Sequence, residues 1–308
     1  MNTHHDIIYL AGYVDGDGCI RCSTTIQKSG ITVYELSITI TSVKKEVLFY
    51  FTKQFGGYIS KVKAKERHRT AHTWTIKGTE AAKLTSKLIP YLVNKSVEGV
   101  FLVELSNTIK PNNFKKVPLD VLEKRNFIIS QKRIELHQKG LVTKGTIDNL
   151  KTLKNSIIPN ENDFIYLAGI IDSEGCFRIC NRCRYRNGKK ERIYNIVLEI
   201  GNTKIQMLDW LVKRFGGTLT FVHPNKQNRA IGIWAIHSKK LALILPKIIP
   251  FLFNKKDVCQ ELINFQQTIL PNGGDRHSFV FKETYERLCH IRKEIIERVH
   301  KLNHKGSL

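Results

Sequence analysis

The chain has 308 residues, and its 50 lysines and arginines against 27 aspartates and glutamates leave a formal charge of +23. That length exceeds one ordinary domain, so two lobes with sizeable cores are expected, and so positive a field selects a polyanion, nucleic acid first, as partner. No stretch approaches the roughly 20 apolar residues of a spanning helix, which argues against a membrane protein, and seven cysteines, an odd number, fit free thiols in a reducing, intracellular compartment.

In chain order, the first predicted element is a helix over about residues 6–14, whose apolar side chains are too dense for a one-sided surface helix, so it should be buried. The residues ahead of it carry no charged n-region or small-residue cleavage site, and no signal peptide is expected. Two strands follow by period-2 alternation. Arg21, Ser23, Thr25 and Gln27 share one face against Ile20, Cys22 and Ile26, and Glu35, Ser37, Thr39 and Thr41 lie opposite Tyr34, Leu36, Ile38 and Ile40. A helix running to Phe55-Gly56-Gly57 leads to a strand in which Lys61, Lys63, Lys65, Arg67 and Arg69 alternate with Val62 and Ala64, then to a strand at Trp74-Thr75-Ile76. A helix over 117–138 closes this half, and 141–160, with Gly, Lys, Asn and Pro and no strong periodicity, reads as a linker.

The rest of the chain repeats the first part. Residues 9–20, YLAGYVDGDGCI, return at 166–177 as YLAGIIDSEGCF, a shift of 157. Phe55-Gly56-Gly57 returns as Phe215-Gly216-Gly217, Trp74 as Trp234, and Ile89-Pro90-Tyr91-Leu92-Val93-Asn94-Lys95 as Ile249-Pro250-Phe251-Leu252-Phe253-Asn254-Lys255, all shifted by 160. The difference implies about three extra residues in the first hairpin of the second copy. Two copies of one fold follow, residues 1–140 and 161–308 about the linker, paired about a pseudo-twofold axis, with a closing helix at 282–303. Trp74 and Trp234 read as core anchors.

Each predicted sheet therefore has one apolar face and one polar, mostly basic face. In the second copy Arg178, Arg182, Arg184 and Arg186 share parity against Phe177, Ile179 and Tyr185, and Asn195, Glu199, His223 and Arg229 join the set. A half-solvated antiparallel sheet is common, but rows of Arg, Lys, Ser, Thr and Gln can reach phosphates and read base edges in a major groove that admits a two-stranded ribbon. Small residues four apart, Gly12 and Gly16, Gly169 and Ser173, allow the two repeated helices to approach closely. Each helix then ends in two acidic residues, Asp15 and Asp17 or Asp172 and Glu174, where the helix dipole is already negative. A hard divalent cation held by one or two carboxylates, phosphate oxygens and water resolves that repulsion. Asp17 and Glu174 are its expected ligands, while Asp15 and Asp172 are expected to accept hydrogen bonds from nearby backbone.

Leu10–Gly18, LAGYVDGDG, and Leu167–Gly175, LAGIIDSEG, resemble the LAGLIDADG motif of homing endonucleases, and two copies in one chain are similar to the monomeric members of that family. The resemblance implies an α+β fold: two pseudo-twofold-related αββαββα halves, each with an antiparallel saddle-like sheet, packed through the motif helices. It implies a double-stranded DNA partner with a long, roughly pseudo-palindromic site, and Mg²⁺ as cofactor, two or three divalent cations in all, with Mn²⁺ or Ca²⁺ substituting in binding. Metal would be held at Asp17 and Glu174, with Gly16 and Ser173 beside them. Lys95 and Lys255 would polarise water or steady charge on phosphate, and Thr41 would order a water at a position where the second half has Gly201. Both strands would be cut by metal-assisted attack of water. The resemblance further implies an intron-encoded protein of an organelle or a prokaryotic cytoplasm.

Rival readings are an RNA-splicing maturase of the same fold, a non-catalytic DNA-binding protein and an intein-embedded enzyme. Cys19-x-x-Cys22 and Cys180-x-x-Cys183 have zinc spacing, but residues three apart on a strand point to opposite faces, so no zinc site is expected.

Overall fold

The computed structural model describes residues 3–26, 28, 32–62, 70–108, 123–127, 141–151, 157–186, 189–223, 229–269 and 282–304. Gln27, Lys63, Lys65, Arg67 and Arg69, expected on the basic face, lie outside these residues, as does most of the helix expected over 117–138. Arg182, Arg184 and Arg186 are placed by their backbone.

The first half runs α1 (Thr3–Asp17), β1 (Gly18–Ile26), β2 (Thr32–Ser42), α2 (Lys45–Phe55), β3 (Tyr58–Lys61), β4 (His72–Lys77), α3 (Gly78–Leu88) and α4 (Ser96–Thr108). After α5 (Lys144–Lys151) the order returns: α6 (Glu161–Glu174), β5 (Gly175–Arg186), β6 (Lys189–Asn202), α7 (Ile205–Phe215), β7 (Thr218–Val222), β8 (Ile231–His237), α8 (Ser238–Ile248), α9 (Lys256–Gln267) and α10 (Lys282–His304). Both sheets are antiparallel, with strand orders β1-β2-β4-β3 and β5-β6-β8-β7. The extra residues of the second copy are accounted for by its first hairpin. β5 and β6 have 12 and 14 residues against 9 and 11 for β1 and β2. The last pair moves from Ile26↔Thr32 to Arg186↔Lys189, so longer strands replace a longer turn.

The two motif helices form the centre of the molecule, buried along Asp6–Asp15 and Asp163–Asp172. Their approach is backbone to backbone. A Cβ on Gly12 would stand 2.2 Å from the Tyr166 carbonyl oxygen, and one on Gly169 would stand 2.2 Å from that of Tyr9, so only glycine fits at this crossing. α6 starts at a capping box: Asn160 accepts from the Asp163 N–H, and the Asp163 carboxylate accepts from the Asn160 N–H, satisfying donors the helix leaves unpaired. In each half a tryptophan, Trp74 or Trp234, is 0% exposed and donates its indole N–H to Gly56 or Gly216, at 2.8 and 2.5 Å. Truncating such a residue costs about 3–5 kcal/mol.

The described residues of the segment 141–160 pack on the second half. Leu141 bridges to Lys204, the Val142 N–H donates to the Thr203 carbonyl, and α5 buries Ile147 and Leu150 against the second half, where a Cβ on Gly232 would meet Leu208 at 2.3 Å and Ile147 at 2.8 Å. The closing segments share a device. Residues 123–127 are helical, and Arg125, 5% exposed, donates to the Thr108 hydroxyl and carbonyl at the end of α4. Arg292 on α10 does the same to Thr268 after α9. Each guanidinium covers a strand tyrosine, Tyr34 or Tyr194, at 5.0 and 5.5 Å.

Candidate active site and nucleic-acid face

Asp17 and Glu174 are the last residues of α1 and α6, so the close crossing of the helices delivers one carboxylate from each half to a single place. The two side chains lie close enough to act on one another directly. Their tips reach solvent, yet loss of surrounding water raises the proton affinity of both. For Asp17 this is opposed by Lys255, by its contact with Glu174 and by Lys95; for Glu174 the neighbouring Asp17 raises it further while Lys255 and Lys95 oppose. Two carboxylates so close cannot both ionise without a counter-charge.

Asp15 and Asp172, two residues earlier on each helix, are 2% and 4% exposed and act as structural acceptors. Asp15 accepts from the Val93 N–H at 2.6 Å, the Lys95 N–H at 2.8 Å and, across the interface, the Tyr166 hydroxyl at 2.6 Å. Asp172 accepts from the Phe253 N–H at 2.6 Å, the Lys255 N–H at 2.8 Å and the Tyr9 hydroxyl at 2.7 Å. The Ile-Pro-aromatic turns Ile89–Tyr91 and Ile249–Phe251 start these loops, with Pro placed where a 3₁₀ turn needs no N–H. The loop then carries the next lysine beneath the end of the motif helix.

There the lysines close the helices. The Lys95 ammonium donates to the carbonyls of Val14, Asp15 and Gly16 at 2.6, 2.9 and 3.1 Å, and that of Lys255 to Ile171, Asp172 and Ser173 at 2.5, 3.3 and 3.4 Å. A lysine has three donors, so each is fully engaged and acts on its surroundings through its charge. Burial favours the neutral form of both, opposed chiefly by Asp15 for Lys95 and by Asp172 for Lys255. The carbonyls of Gly16 and Ser173, expected from sequence beside the metal, each already accept from a lysine.

Thr41, at the end of β2, shares a 2.8 Å hydroxyl–hydroxyl hydrogen bond with Thr73 on β4. At the matching place Gly201 pairs with Ile233, and no hydroxyl is offered. Among the described residues no group of three or more His, Cys, Asp and Glu could hold a metal ion. Cys19 is exposed and Cys22 partly buried, and burial pushes the Cys22 thiol up to about 11, which makes it a poor thiolate ligand.

The polar sheet faces are open, with one exception. Arg21, Thr25, Glu35, Lys61, Arg178, His223 and Arg229 are exposed, and Ser23, Thr39, Asn195 and Glu199 partly so. Ser37 is 1% exposed, its hydroxyl without a hydrogen-bond partner among the described residues; mid-strand, between Arg21 and Lys77 in register, it is not open to a ligand as its parity suggested. Glu35 is ion-paired with Lys77 at 2.9 Å and Glu199 with Arg178, while Asn195 accepts from Ser238 at 2.9 Å. Lys77 belongs to this face and was not singled out from sequence, since it closes β4 where alternation ends. Tyr9 and Tyr166 were also missed, although both stand in the repeated YLAG and their hydroxyls tie each half to the other's aspartate.

Fold and site together define a two-lobed protein in which paired helices bring one carboxylate from each lobe to the foot of two basic, antiparallel sheets. Residues 10–110 match the family model described as LAGLIDADG endonuclease, and the second half repeats the motif and the strand order of that matched part. The chain is similar to the LAGLIDADG homing endonuclease I-GzeII in complex with its DNA target, with 14% identity over 93% of this chain and 97% of that one and a TM-score of 0.60. It is also similar to I-SmaMI bound to cleaved DNA, with 16% identity over 98% of each chain and a TM-score of 0.60. A third similar structure is I-AabMI bound to uncleaved DNA, with 15% identity over 96% of this chain and 97% of that one and a TM-score of 0.56. No curated protein matches the chain significantly in sequence. Among the described residues no helix is long and apolar enough to cross a membrane.

Proposed function

We propose that this protein is a site-specific double-strand DNA endonuclease that hydrolyses phosphodiester bonds with divalent cations held at Asp17 and Glu174, and that it acts as a monomer. The observation that carries this reading is the meeting of these two carboxylates, one from each half, close enough that each acts on the other's ionisation, with a buried lysine behind each helix end. The residues fit a hard cation such as Mg²⁺, which takes one or two protein carboxylates and completes its shell with water and phosphate oxygens; a pair of carboxylates, one from each half, is the donor set such an ion takes. When bound, such cations supply charge stabilisation for the attacking and leaving oxygens of an in-line displacement by water.

The protein's own residues do the rest. The charge of +23 and the basic sheet faces would hold the phosphate backbone, and exposed Arg21 and the ion pairs Arg178–Glu199 and Lys77–Glu35 would meet base edges in the major groove. Lys95 and Lys255 neutralise the negative ends of the motif helices and leave positive potential beneath the scissile phosphates. I-GzeII, I-SmaMI and I-AabMI are each described with DNA, and I-SmaMI also with calcium ions on an uncleaved target, which supports a DNA duplex as partner and a divalent ion as cofactor. The intron-encoded setting rests on the family resemblance alone.

The test is to incubate the protein with a randomised plasmid library and Mg²⁺, with EDTA as control, and to sequence the ends produced. The expected result is breaks in both strands at one long, partly symmetric sequence, absent with EDTA. Cleavage unaffected by EDTA, or no cleavage of any sequence, would contradict the proposal.

A further inference from the structure

Both open sheet faces suit a polyanion, yet each carries an acid. Among the described side chains of these faces the carboxylates are Glu35 on β2 and Glu199 on β6, and each is held by a cation from a neighbouring strand. The two oxygens of Glu35 accept from the Lys77 ammonium of β4 at 2.9 and 3.0 Å, and the Tyr58 ring lies 6.0 Å from the same ammonium. Glu199 is ion-paired with Arg178 of β5. All four charged side chains remain partly exposed to whatever the face receives.

The two ion pairs do not match across the repeat. Glu199 corresponds to Thr39 of the first half, and Glu35 corresponds to Asn195, which accepts from the Ser238 hydroxyl at 2.9 Å rather than from a cation. They also differ in distance from the paired carboxylates. Glu199 stands opposite Cys176, two residues past Glu174, and Glu35 opposite Ser23, six residues past Asp17. A strand rises about 3.3 Å per residue and base pairs stack about 3.4 Å apart, so the ion pair of the first half lies roughly four base pairs further from the centre.

An acid facing phosphates weakens binding, so its place on this face calls for a donor from which it can accept. In the major groove a G·C pair shows two acceptors on guanine, N7 and O6, beside the N4 amino donor of cytosine, whereas an A·T pair interleaves acceptor, donor and acceptor. A fixed cation beside a fixed carboxylate is complementary to the first pattern and not to the second. We infer that Glu199 and Glu35 are specificity residues that accept from the N4 amino group of cytosine while Arg178 and Lys77 donate to guanine, so that the target requires one G·C pair near its centre under the second half and another roughly four base pairs further out under the first. The inference rests on the DNA duplex of the endonuclease reading and goes beyond it in naming bases and their unequal placement.

The experiment selects duplexes bound by the full chain from a randomised library, with Ca²⁺ in place of Mg²⁺, and sequences the bound pool. The wild type is expected to favour G·C over the other pairs by about tenfold at both positions. Glu199→Gln should change the inner position alone, toward A·T, because an amide offers adenine both an acceptor and a donor, and Glu35→Gln should change the outer position alone. A variant that fails to fold loses preference at every position, so the unchanged positions of the same pool separate recognition from damage. No base preference at these positions in the wild type, or variants that weaken binding to all sequences alike, as carboxylates that merely tether the cations would, overturns the inference. Cutting of the enriched duplex with Mg²⁺ is read separately: its absence would overturn the endonuclease reading and leave the base assignment standing, and a pool with no enriched sequence would overturn both.

Discussion

Asp15 and Asp17 share a helix end yet do different work, and neighbours decide which does what. Asp15 is enclosed by three donors, whereas Asp17 has another carboxylate for its neighbour. Tyr166→Phe removes one of Asp15's donors and leaves the two backbone N–H groups, so stability should fall by about 1 kcal/mol; chemical denaturation measures it, and no change would mean the bond across the lobes contributes nothing. The thiols give a second check. Burial pushes Cys22 up to about 11 and Cys259, with the charge of Asp172 adding to it, to about 12. Burial disfavours the thiolate, so at pH 8 both should resist iodoacetamide while exposed Cys19 and Cys176 react, with Cys22 labelling rising roughly tenfold per pH unit toward that value. Peptide mass spectrometry reads the order, and equal labelling of all four would contradict it. Residue roles were partly legible in the sequence: parity placed Arg21, Glu35 and Arg178 on the open face. Ser37 takes the face that parity gave it but is buried there, because alternation says nothing of what covers a side chain.

Among the elements, the motif helices depend on Gly12 and Gly169, where any side chain meets backbone. Gly12→Val should destabilise by about 3 kcal/mol or more, the upper range of overpacking. Gly145 on α5 has nothing within 4 Å of an added Cβ, so Gly145→Ala should be neutral or stabilise by up to about 1 kcal/mol; thermal melts of the two variants check both, and equal melts would remove the case for the close crossing. The repeat made the strands and motif helices readable. α5 escaped notice because its eight residues bury only Ile147 and Leu150, too few to show a period. The matched arginines Arg125 and Arg292 escaped because they lie 167 apart rather than 160, on segments beyond the last aligned positions.

Over the whole molecule, the duplication explains how a chain of this length builds one site: each lobe supplies a sheet, a carboxylate and a lysine, and the site exists only where they meet. The +23 charge predicts that DNA affinity should drop by roughly 10³-fold or more between 50 and 200 mM salt, as expected for six or more phosphate contacts; a nearly flat salt dependence in a filter-binding assay would mean that the basic faces do not carry the backbone. The central claim is that Asp17 and Glu174 jointly hold the cation on which cutting depends, and it is tested most directly by measuring DNA affinity and cleavage side by side for wild type, Asp17→Asn and Glu174→Gln on the recovered site with Mg²⁺. The account predicts that both variants bind within a few-fold of wild type in affinity and lose cutting by at least about 10³-fold. Cleavage at the wild-type rate by either variant would contradict it.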